Sequence, residues 1–142
     1  MKSCLLLLAS VLVLGLTSGC VSKLHSDVAP GANLASVQKI HVVHLPADER
    51  RVDRLIADRL AVMGRVATFG EKSEMPVDTQ AIITYQDKWM WDITMYMIEL
   101  NVQVRDPKSE IALATGHSLR TSLVRKSPPS MVEEVLTDIF SK

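Results

Sequence analysis

Cysteine is nearly absent from this chain. Its 142 residues include two, Cys4 and Cys20, and both precede the part that carries folded-domain patterning. No structural disulfide is therefore expected. An excess of charge of either sign is also missing, since Lys plus Arg and Asp plus Glu are 16 each. No strong field steers the protein toward nucleic acid. Catalytic motifs are missing too. There is no Gly-x-Ser-x-Gly, no His-Glu-x-x-His and no recognisable nucleophile–base pair, and Asp87, Asp92, Glu99 and Glu110 are carboxylates without a visible partner. The run Gly64 to Lys72 imitates a phosphate loop, but its glycines are wrongly spaced and it follows a helix. No metal or cofactor is expected.

A long hydrophobic run is lacking as well. The most apolar stretch, Leu5 to Leu16, is short of the ~20 residues needed to span a bilayer as a helix. With Lys2 before it and small residues after it, residues 1–19 read as a secretory signal peptide. The ending Leu16-Thr17-Ser18-Gly19-Cys20 resembles the lipobox of bacterial lipoproteins, with Thr17 where Leu is usual. The resemblance implies that Cys20 becomes the first mature residue and carries lipid. Val21 after it, rather than Asp, implies an outer-membrane lipoprotein of a Gram-negative cell, facing the periplasm. Several acyl chains then give stable anchoring, because one chain alone is marginal.

Residues 20–38 read as the lipidated cysteine and a tether. Val21 to Gln38 shows neither helical nor strand period, and Pro30-Gly31 signals a turn. The folded domain is expected over 39–142. Lys39 to Leu45 reads as a strand whose period of two sends His41 and His44 to opposite faces, so they cannot share an ion. Asp48 to Gly64 reads as a helix, with Val52, Leu55, Ile56, Leu60 and Met63 in one stripe and Gly64 as its C-terminal stop. A short strand over Arg65 to Phe69 follows.

Thr79 to Arg105 contains both tryptophans, both tyrosines and much of the methionine, and reads as one long hairpin turning near Trp91-Asp92-Ile93. In its second arm Tyr96, Ile98, Leu100, Val102 and Val104 form the inward row. Asp106 to Glu110 is a turn, Ile111 to Val124 a returning strand, and Ser127 caps a last helix with Pro128 at its first position. The order β-α-β-β-β-β-α predicts an α+β two-layer sandwich: a largely antiparallel sheet of four or five strands with two amphipathic helices on one face. This topology is similar to that of several small envelope lipoproteins, including assembly factors and activators of cell-wall synthases.

Trp89, Met90, Trp91, Met95, Tyr96 and Met97 crowd both faces of the hairpin tip. One buried layer accepts only one row, so the other is left for contact. The expected function is a non-enzymatic, lipid-anchored interaction or assembly module. Its partners are the membrane, through lipid on Cys20, and an envelope protein or further copies of itself. The competing reading is a periplasmic protein that binds an apolar ligand, or a small hydrolase without a recognisable motif.

Overall fold

The computed structural model describes residues 21–142. The signal peptide expected at 1–19 and the lipidation expected at Cys20 lie outside the described residues. No described helix is long and apolar enough to cross a membrane.

The chain runs β1 (Ser22–Val28), β2 (Lys39–Val43), α1 (Val52–Val62), β3 (Val66–Gly70), β4 (Ala81–Asp92), β5 (Thr94–Arg105), β6 (Ala112–Arg120) and α2 (Pro128–Phe140). The α+β class is as read, but the sheet has six strands rather than four or five, in the order β1-β6-β5-β4-β2-β3. It is mixed, because β2 runs parallel to both β3 and β4. The extra strand is β1, which lies in the segment taken for a tether. It pairs antiparallel with β6 along its whole length, from Ser22 opposite Arg120 to Val28 opposite Ala114. As an edge strand with mostly exposed side chains it needs no apolar alternation, because backbone hydrogen bonds hold it.

Both helices cover one face. α2 packs across β1, β5 and β6; α1 packs on β2 and β3 and against α2. Ile40, Val42, Ile83, Leu100, Val102 and Val104 from the sheet meet Ile56, Leu60, Val132, Val135, Leu136 and Ile139 from the helices in one core. Gly116 lets α2 approach. A Cβ there would lie 2.6 Å from Ile139 Cδ1 and 2.8 Å from Val135 Cγ1. α1 starts later than expected because Arg51 adopts a left-handed conformation (φ 59°). Asp48 stands before the helix and accepts from the amides of Arg50 (2.8 Å) and Val52 (2.6 Å). Gly64 (φ 83°) ends α1 as read, with Arg65 N donating back to Leu60 O. Ser127 caps α2 as read, accepting from Ser130 N.

On the other face, His41 is buried beneath the segment after β3. It donates through Nε2 to the Glu71 carbonyl (3.1 Å) and accepts at Nδ1 from Thr68 Oγ1 (2.8 Å). His44 turns to the helix side and meets Asp53, so the two histidines do diverge.

Candidate functional site

The β4–β5 hairpin changes register at a bulge. Lys88 faces Glu99 and Trp89 faces Met97, so Ile98 has no partner. Below the bulge the even residues Leu100, Val102 and Val104 point to the helices; above it Met97 does. This corrects the inward row read from the sequence, which carried Tyr96 and Ile98 on the same side as Leu100. A one-residue insertion in one strand swaps its faces.

The six tip residues are consequently divided. Met97 is fully buried, and Trp89, paired with it, packs against the core. Tyr96 is buried on the opposite face, beside Met90. Met90, Trp91 and Met95 are exposed. The division falls along the hairpin more than across it, with a packed base and a bare end. Arginines clamp the base. The Arg50 guanidinium lies 4.4 Å from the Trp89 ring centre, and Trp89 Nε1 donates to Asp87. Arg125 stacks 4.6 Å from the Tyr96 ring centre and donates to Thr94 Oγ1 at 3.0 Å.

At the end, Asp92 pairs with Thr94, and only Ile93 separates them. Ile93 holds φ 62° and is 87% exposed, with Trp91 69% exposed beside it. A β-branched residue in the left-handed region is strained, and an exposed isoleucine gains no burial in return.

The second candidate joins His44, Asp48 and Asp53, whose ligand atoms lie within 4.8 Å of one another. Sequence reading missed this group, because its members come together only when α1 folds back on the end of β2. Its carboxylates are already engaged. Asp53 Oδ1 accepts from Arg51 Nε (3.0 Å) and Arg54 N (2.7 Å), and Oδ2 from Arg51 Nη2 (3.1 Å) and His44 Nδ1 (3.0 Å). Burial opposes its charge, yet these donors hold the Asp53 carboxyl below its ordinary value. Asp48 Oδ2 accepts from the Tyr85 hydroxyl at 2.7 Å, and burial together with that bond pushes the Tyr85 phenol up. The cluster is a satisfied buried network that locks α1 to the sheet.

No protein-family model matches this chain, and no curated protein does. Its fold, however, resembles that of PelC. One solved PelC dodecamer from Paraburkholderia phytofirmans superposes with a TM-score of 0.62 at 12% identity, over 86% of this chain and 100% of that one. A single-substitution variant of the same dodecamer superposes with a TM-score of 0.59 at 14% identity, over 85% and 95%. At such identity the likeness is one of fold.

The sheet face away from the helices carries a groove of about 640 Å³, lined by Thr84, Gln86, Asn101, Gln103 and Arg105 with Leu45 at its end. Arg105 is fastened there to Gln103 Oε1 and the Glu110 carbonyl. His117, on the interior strand β6, meets Glu99 at 3.0 Å on this same face.

Proposed function

We propose that this protein is a lipid-anchored envelope component, held by lipid on Cys20 at the periplasmic face of the outer membrane. It works there as a non-enzymatic assembly module built from several copies of itself. The observation that carries the reading is the distribution of apolar and polar chemistry. The buried polar cluster around Asp53 is spent on internal contacts, while large apolar side chains stand bare at the hairpin end. Such a molecule offers surfaces rather than reactive groups.

Self-assembly is supported by the shared fold with a protein solved as a dodecamer. It is supported also by the two sheet edges, β1 and β3, which are different surfaces at opposite ends of the sheet. Contact between unlike surfaces is the geometry from which rings close. Leu24 on β1, and Val66 and Phe69 on β3, are exposed at those edges. The groove lined by Thr84, Gln86, Asn101 and Gln103 is polar, which does not favour the competing reading of an apolar ligand.

The test is fractionation of the full-length protein beside Cys20→Ser, followed by chemical crosslinking in the membrane. The native protein is expected in the outer membrane with a ladder of homo-oligomers. Continued outer-membrane fractionation of Cys20→Ser would defeat the anchoring reading, and a solely monomeric band would defeat the assembly reading.

A further inference from the structure

We infer that the bare end of the β4–β5 hairpin is a second point of membrane contact, inserted into the lipid interface beside the acylated cysteine. The inference rests on the lipidation reading of Cys20 and concerns how the domain is oriented once anchored.

The argument begins with register. β5 and β6 pair from Glu99 opposite Leu119, and β6 ends at Arg120. The tip of the hairpin therefore runs on past the end of β6. β1 begins at that same end, with Ser22 opposite Arg120. Val21 is fastened there too. Its carbonyl accepts from Thr121 N (3.3 Å) and Thr121 Oγ1 (3.1 Å). The residue next to Cys20 is thus fastened at the end of the sheet, directly before β1, and no long slack chain separates the lipid site from the domain.

Rungs give the distances. Counting from the Glu99–Leu119 pair and discounting the bulged Ile98, the apex Ile93 stands three rungs further out than Val21. At about 3.4 Å per residue this is about 10 Å. Two strand spacings separate β1 from β5 sideways, again about 10 Å. A cysteine carrying acyl chains sits near headgroup level. The apex then reaches to about the depth of 5–10 Å that interfacial apolar faces occupy.

The side chains suit that depth. Trp91, Ile93 and Met95 are exposed at the apex, and Leu123, in the short turn Ser122–Val124 just after β6, is 78% exposed at the same end. Tryptophan favours the membrane interface, where its ring is buried and its N–H stays wet. Arg125, fixed to Thr94 and near Asp92 (3.6 Å), lies at the shoulder of the tip, where lipid phosphates would stand. The strained, exposed Ile93 has a reason under this arrangement, because insertion would bury what water now surrounds.

The test uses full-length lipidated protein in vesicles of phosphatidylethanolamine and phosphatidylglycerol containing acyl-brominated phosphatidylcholine. Trp89→Phe leaves Trp91 as the sole tryptophan, and Trp91→Phe leaves Trp89. Trp91 is expected to show a blue-shifted emission that shallow bromines quench and acrylamide does not. Trp89 is expected to ignore the bromines. If the protein floats with the vesicles while Trp91 stays open to acrylamide, the inference falls and the anchor stands. Shielding of Trp91 from both quenchers would place a second copy on the tip and also overturn it. Failure to float would overturn the inference together with the lipidation reading.

Discussion

Ile93 combines two unfavourable features in one residue. It is β-branched at φ 62°, and it is almost fully exposed. Asparagine tolerates the left-handed region better and loses nothing by exposure. Ile93→Asn is therefore expected to raise stability by about 1 kcal/mol, seen as a higher urea midpoint at unchanged slope. The same change is expected to weaken the membrane contact, so stability and contact should move in opposite directions. Tyr85 presents the contrasting case. Its hydroxyl donates to the buried Asp48, which also holds the start of α1 through Val52 N. Tyr85→Phe keeps the ring and removes that donor, with an expected loss of about 1–2 kcal/mol by chemical denaturation. Neither residue's situation is visible in the sequence. Ile93 looks like any strand isoleucine, and Asp48 and Tyr85 are brought together only by the α1 connection. Asp48 was read as the first residue of the helix, and the left-handed Arg51 instead leaves it outside, with the helix starting at Val52.

Elements with a strong period were legible, and those held by pairing alone were not. α1, α2 and the lower hairpin each bury a continuous stripe, and that stripe recurs in the sequence at helical or strand spacing. β1 has no stripe to show, because an edge strand is stabilised by the backbone of β6 rather than by its own side chains. The bulge at Ile98 was hidden for a related reason. An insertion in one strand is defined by the partner strand's register, and that is a non-local fact. The six-residue tip was singled out as crowded on both faces, but its division into packed base and bare end depends on where the helices stop. Gly116 shows the converse, an ordinary glycine given meaning by its neighbour. Its partners Val135 and Ile139 are themselves fully buried and have little room to move. Gly116→Ala is expected to cost about 1–3 kcal/mol by forcing α2 away from β6, a loss readable as a lowered Tm.

Across the whole molecule, Glu134 ties the two layers together. It projects from α2 and accepts from Ser118 Oγ, from Arg120 Nε (2.9 Å) and Nη2 (2.6 Å) on β6, and from Lys126 in the connecting segment. One carboxylate thus joins helix, sheet and connecting loop at the end of the molecule where Val21 and the hairpin tip also lie. Burial works against its charge, but the donors outweigh burial and hold the carboxyl at about 2. Asp53, Asp78, Glu99, Asp106 and Glu110 are also held below their ordinary values, so acid pulls on the fold at several points. Asp78 and Glu110 are exposed and Asp106 is partly exposed on a surface turn, so all three are screened and contribute little. Glu134 is 10% exposed and its partner Arg120 14%, so screening is slight, and its carboxyl is lowered further than that of Asp53, so its contribution should be the largest. A carboxyl lowered in the folded state stabilises that state above its unfolded value, and the gain disappears as pH falls toward the folded value. Stability is therefore expected to be full at neutral pH and to decline from about pH 4.5 down to about 2. Glu134→Gln keeps the shape but not the charge, and should lower the neutral-pH stability by about 2–3 kcal/mol while flattening the decline in that window. Urea midpoints measured for both proteins from pH 7 to 2 decide it. Parallel curves would mean that the acid response comes from Asp53 and Glu99, whereas convergence at low pH would assign it to the Glu134 junction.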